Sequence, residues 1–131
     1  MKLWQKIKQA AQPQSSSFEY LMLVITLLLV FLMASRSPTD PDMWWHLRAG
    51  EETIKSGKPL VVDTMTFTMS GEQWVNHSWL SQIVLYLLYN WWGYLGLSLY
   101  VAVLVTATMY VLYRSIKGGV FLRALIVVLV C

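Results

Sequence analysis

Charge is what this sequence lacks most. Only 13% of its 131 residues are Asp, Glu, Lys or Arg, about half the ~25% usual in soluble domains. A soluble surface needs more charge than that, so an ordinary soluble domain is disfavoured. Cysteine is scarcer still: Cys131, the last residue, is the only one. That excludes an intramolecular disulfide scaffold, and no thiol lies beside a histidine to complete a closed zinc site. Basic residues form no stripe interleaved with aromatics, which speaks against a nucleic-acid partner. Disorder is excluded from the other side. Hydrophobic residues make up 56% of the chain, with seven Trp, seven Tyr and seven Met, and so much apolar surface asks for burial.

The missing charge is missing in blocks. Tyr20 to Ser35 is uncharged over sixteen residues, between Glu19 and Arg36. With its flanks it reaches the ~17–25 residues of a membrane crossing. A cleaved signal peptide is a poorer reading, because the stretch before it is long and Leu32-Met33-Ala34 is a poor cleavage site. Between Glu72 and Arg114 lie forty-one uncharged residues. As one straight helix they would extend about 60 Å, twice the hydrocarbon thickness, so a break is expected at Trp91-Trp92-Gly93. Tyr94 to Tyr113 then gives a full crossing. Ser78 to Asn90 is too short to cross and weakly amphipathic, and reads as an interfacial helix. A third apolar block runs from Val120 to Cys131, interrupted only by Arg123. Half a crossing leaves carbonyls unpaired in lipid, so these 131 residues are expected to open a longer chain.

The few charges are sorted. Lys2, Lys6 and Lys8 precede the first block, and Arg114 and Lys117 follow the second. The middle loop carries four basic residues against six acids. The positive-inside rule therefore puts the N-terminus in the cytoplasm and the loop outside. The expected order is a cytoplasmic tail (1–17), a first transmembrane helix (18–35), an external loop (36–77), an interfacial helix (78–92), a second transmembrane helix (94–113), a cytoplasmic loop (114–119) and the start of a third crossing (120–131). The tail is read as a short helix over 2–11 and a polar joint over 12–17. The fold class is an all-α integral membrane protein in contact with the bilayer. Its long external loop holds a short helix and a candidate β-hairpin.

That loop holds both histidines and six of the seven acids. Asp40-Pro41-Asp42 reads as a helix start, with Asp40 the N-cap, Pro41 the first helical position and Asp42 at the positive end of the dipole. Gly57 and Pro59 stop the helix. Met43, Leu47, Gly50 and Ile54 should share its buried face, while Asp42 and His46, four apart, share another. Thr64, Thr66 and Thr68 alternate with Met65, Phe67 and Met69, a strand signal. Ser70-Gly71 turns the chain, and Trp74-Val75 is expected to pair back. The cluster Asp40, Asp42, Trp44, Trp45 and His46 is expected to face a second one, Asn76, His77 and Trp79.

Two acids and a histidine beside a membrane can hold a divalent cation such as Mg or Mn, or act as a general base on a hydroxyl. Each residue also has a plainer reading. Asp40 can simply cap the helix, and Asp42 complement its dipole for ~0.3–1 kcal/mol. Trp44, Trp45, Trp79, Trp91 and Trp92 fit interfacial anchoring better than substrate stacking. His46 and His77 can serve hydrogen bonds within the loop. Arg48 can bind a phosphate or pair with Glu51 or Glu52.

The stretch from Asp40 to Gly50 (DPDMWWHLRAG) resembles the first external loop of bacterial polytopic proteins akin to the GT-C glycosyltransferases. Asp63 to Thr68 and Trp74 to Leu80 are similar to the same group, and the similarity covers most of residues 20–115. The resemblance implies a protein of the bacterial inner membrane that takes sugars from a polyprenyl-phosphate donor. It also implies an acid of this loop as catalytic base or metal holder, and Asp40 and Asp42 are the matching positions. His46, Arg48, Asn76 and His77 are the expected substrate contacts. Replacing either acid by Asn should then abolish transfer. The alternative is a non-catalytic membrane subunit of a larger complex, whose aromatic helices bind partners, pigments or lipids. A transporter fragment has less to recommend it, since neither crossing carries a buried charge.

Overall fold

A computed structural model describes residues 16–36 and 40–131. The tail helix expected over 2–11, and the polar joint up to residue 15, lie outside the described residues. Among these the chain is all-α. Four helices occur in order: α1 (Ser16–Ala34), α2 (Asp42–Ser56), α3 (Trp79–Ser115) and α4 (Val120–Val130). Two of them, α1 and α3, are long and apolar enough to cross a membrane. The 19 residues of α1 extend about 28 Å, close to the ~30 Å of hydrocarbon.

The described residues fall into two compact units. One unit combines α1, the part of α3 from Ala102, and α4. Val30 of α1, Tyr113 of α3, and Val120 and Val127 of α4 form its buried core. Phe18 and Phe121 stack at a tilt, ring centres 5.9 Å apart. The threonines of these apolar helices are satisfied locally. Thr26 donates to the Met22 carbonyl at 2.7 Å and Thr106 to that of Ala102 at 2.7 Å, the back-bond that lets a hydroxyl sit in an apolar helix. Many large apolar side chains stay exposed, among them Leu32, Val111 and Leu129.

The other unit, Ser35–Val101, packs α2 on the 79–92 part of α3. Gly50 makes the approach possible. A Cβ there would lie 2.2 Å from the Gln82 carbonyl oxygen and 2.9 Å from the Tyr86 Cβ. The buried face of α2 is Leu47, Ala49, Gly50 and Thr53. This corrects the expected face in part, because Ile54 is exposed. The close crossing at Gly50 turns the neighbouring Thr53 inward, its hydroxyl donating to the Ala49 carbonyl at 2.7 Å. At Gly57 the backbone turns left-handed, φ 65°, which ends α2 at the expected glycine.

Inside α3 the break falls at Gly93, φ 59° and ψ −143°. Only glycine enters this region at low cost. An aromatic triad braces it. Tyr89 before the break and Tyr94 after it meet edge-on at 5.5 Å, and Trp44 of α2 packs edge-on against both, at 6.0 and 5.9 Å. Ser98 beyond the break donates to the Arg36 carbonyl at 3.0 Å.

The expected strand over Thr64–Thr68 is absent, and no strand occurs among the described residues. What remains of the hairpin is a single antiparallel bridge, Val62 to Gln73, flanked by backbone bonds from Asp63 to Glu72 at 2.9 Å and from Trp74 to Val61 at 2.9 Å. The reason is Asp63. Its carboxylate accepts the backbone N–H groups of Met65 (2.8 Å) and Thr66 (2.9 Å) and the Thr66 hydroxyl. An aspartate that satisfies the chain locally competes with a ladder, so the chain curls around it at Met65 and Thr66.

Candidate functional site

The first turn of α2 carries the acidic pair. Pro41 sits in helical geometry just ahead of the helix, with φ −59°. Asp40 therefore does the capping: its Oδ1 accepts the Asp42 backbone N–H at 2.9 Å, and its carbonyl accepts that of Met43 at 3.1 Å. Asp42 is exposed. Its carboxylate accepts no hydrogen bond and joins no ion pair among the described residues. The two acids thus differ, one oxygen of Asp40 being committed to the backbone.

One turn further on, His46 meets a polar chain built around Gln82. Gln82 is 1% exposed, a buried amide that must find partners. Its Nε2 lies 3.2 Å from the His46 Nδ1. Its Oε1 accepts the Asn76 Nδ2 at 2.7 Å. The Asn76 Oδ1 accepts the Ser78 backbone N–H at 3.3 Å. The Ser78 N–H can only donate, so it sets the direction of the whole chain. Asn76 must donate to Gln82, and Gln82 must donate to His46. The Nδ1 of His46 is then the acceptor, and its proton sits on Nε2.

The structure therefore brings His46 and Asn76 together, through a residue that sequence patterning had treated only as the polar side of an amphipathic helix. A glutamine among the polar residues of a weakly amphipathic helix gave no signal that it would be buried. His77 is exposed and outside this chain. Among the described residues no hydrogen bond or ion pair joins Asp40 or Asp42 to His46, Asn76 or His77. Trp45 packs on Trp74 at 5.5 Å. Asn76 and Trp79 line a cavity of about 520 Å³ walled by Leu60, Val61, Val62 and Trp74. Trp91 and Trp92 project outward beside the break.

Arg48 follows its plainer reading. It pairs with Glu51 at 2.8 Å and Glu52 at 2.7 Å, and Lys55 reaches Glu51 at 2.7 Å. Hydrogen bonds from Lys55 and then Arg48 hold the Glu51 carboxyl below its usual range, and the same contact with Glu51 raises Lys55. At Asp63 the hydroxyl of Thr66, then the N–H groups of Thr66 and Met65, lower the carboxyl.

Among the described residues no group of three or more His, Cys, Asp or Glu is gathered as cation ligands. Asp42 and the second oxygen of Asp40 could supply part of a Mg or Mn shell, the rest of which waters and substrate phosphates usually complete. In comparisons with known proteins, no family model, no curated protein and no solved structure matches the chain.

Proposed function

We propose that the chain is the N-terminal part of a GT-C-like membrane glycosyltransferase. In this reading α1 and the part of α3 beyond Gly93 cross the bacterial cytoplasmic membrane, with residues 36–77 on its external face. The acidic residues of that loop serve sugar transfer from a polyprenyl-phosphate donor. One observation carries the reading: at the start of α2, Asp40 is spent on the backbone while Asp42 presents an uncommitted carboxylate.

The roles follow. Asp42 is the general base and takes the proton of an acceptor hydroxyl or amide. The acceptor attacks the anomeric carbon with inversion, and the bond to the phosphate oxygen breaks to release polyprenyl phosphate. Asp40 holds the helix start and thereby positions Asp42. His46, presenting Nε2–H, and the exposed His77 are donors for sugar or phosphate oxygens. The apolar cavity beside Asn76 and Trp79 fits the first part of a lipid chain. A cation would need ligands from elsewhere, so no step is assigned to one.

The test is the pair Asp42→Asn and Asp40→Asn in the protein at its natural length. Asn caps a helix about as well as Asp, so Asp40→Asn should keep most activity. Asp42→Asn removes the base and should lower transfer about 10²–10⁴-fold at unchanged protein level. Full activity in Asp42→Asn would end this reading.

A second reading rests on a different observation. Phe67 is fully exposed at the loop tip, with Val61 at 68% and Val75 at 72%, three exposed apolar side chains outside any candidate crossing. A non-catalytic subunit docking there predicts stoichiometric co-purification with a partner, abolished by Phe67→Ser.

A further inference from the structure

Arg123 is the lone charge of α4, in the sequence VFLRALIVVLV. Its Nε is buried and has no hydrogen-bond partner, an expensive arrangement for a charged group. The guanidinium lies 5.9 Å from the centre of the Tyr113 ring, which steadies it but uses none of its N–H groups in the ring plane. Arg123 lines a cavity of about 480 Å³ together with Ser16, Glu19, Tyr20, Tyr113 and Arg114. Neither arginine pairs with Glu19 or with any other described carboxylate. All these residues belong to one compact unit. Two guanidinium groups, a serine hydroxyl, two tyrosines and the Glu19 carboxylate thus line a space in which neither arginine is paired with an acid.

We propose that this cavity binds a phosphate group, supplied by the headgroup of an anionic phospholipid. Arginine matches phosphate through two parallel N–H bonds, and a phosphate oxygen would give the buried Nε its partner. The cavity sits where α1 begins and α3 ends, beside long apolar surfaces, so acyl chains have somewhere to lie. Basic pockets between membrane helices bind such headgroups. Placing the phosphate on a lipid rests on the membrane reading above, whereas the anion chemistry does not.

The experiment uses the detergent-solubilised chain at its natural length, with bound lipid read by native mass spectrometry. Phosphatidylglycerol is compared with a neutral galactolipid that has no phosphate, and inorganic phosphate is the competitor. Phosphatidylglycerol should be retained over galactolipid. The preference should fall about tenfold in Arg123→Gln, the measure of one charge-assisted hydrogen bond, and rise in Glu19→Gln, which removes a competing negative charge. Arg114→Gln, at an exposed position, should lower it without touching the core, which guards against a folding defect in Arg123→Gln. Protection by inorganic phosphate without lipid preference would keep the anion site and assign it to a free anion, independently of the membrane reading. Equal retention of both lipids with no effect of phosphate, or a preference unchanged in both arginine variants, would overturn the proposal.

Discussion

Asp63 and Asp40 show how much a single side chain decides in this molecule. Each accepts backbone N–H groups nearby, and each thereby fixes the start of a local structure. For Asp40 this was legible, because a cap followed by proline has a known offset. For Asp63 it was not: the alternation of threonines with Met65 and Phe67 has the period of a strand, and nothing in a period reveals a carboxylate that captures the first turn. The folded value of Asp63 lies below its unfolded one. Its contribution is therefore present above the unfolded value and lost as pH falls through the folded one. The protection of the Met65 and Thr66 amides, measured as exchange relative to the intrinsic rate at each pH, should fall on acidification, and Asp63→Ala should leave them little protected at every pH. A protection factor that does not change with pH in the natural chain would contradict this. Gln82 was the least legible residue. Replacing it by Leu leaves the amide of Asn76 and the ring of His46 without their partner, and should cost about 1–3 kcal/mol. Thermal unfolding of the purified chain measures it, and the ring-nitrogen NMR shifts of His46 should report loss of the single Nε2–H tautomer.

At the scale of the elements, the helices and their ends were readable because charge, proline and glycine punctuate them. Gly57 ends α2 and Gly93 breaks α3, both at positive φ. The meeting of α2 with α3 was readable only in part: the two clusters were expected to face each other, and His46 and Asn76 do meet through Gln82, but the close backbone approach at Gly50 is not encoded in sequence spacing. Gly50 is where it can be tested. A methyl group there would lie 2.2 Å from the Gln82 carbonyl oxygen, so Gly50→Ala must push the helices apart. The expected loss is about 1–3 kcal/mol, and the His46–Gln82 bond should weaken with it. Gly93→Ala should cost a similar ~1–3 kcal/mol through backbone strain alone. The distinction is measurable: Gly50→Ala should disturb the His46 ring signals, while Gly93→Ala should instead disturb the Trp44, Tyr89 and Tyr94 triad. Unchanged stability in both variants would show that neither contact constrains this unit.

For the molecule as a whole, the proposed function and the phosphate-bearing lipid both depend on one arrangement. The apolar helices must cross a bilayer, with the loop of residues 36–77 on one side and the Arg114–Gly119 turn on the other. The sorting of the few charges is the sequence's argument for this arrangement, and the structure adds two helices of sufficient length and apolarity. It also adds wide apolar faces that no described residue covers. The scarcity of cysteine provides the most direct measurement. With Cys131 replaced by Ser, single cysteines at Phe67, fully exposed at the loop tip, and at Lys117 report the two sides separately. In intact cells an impermeant maleimide should label Phe67→Cys at once and Lys117→Cys only after the membrane is permeabilised. Equal labelling of both in intact cells, or recovery of the chain in the soluble fraction, would contradict the account.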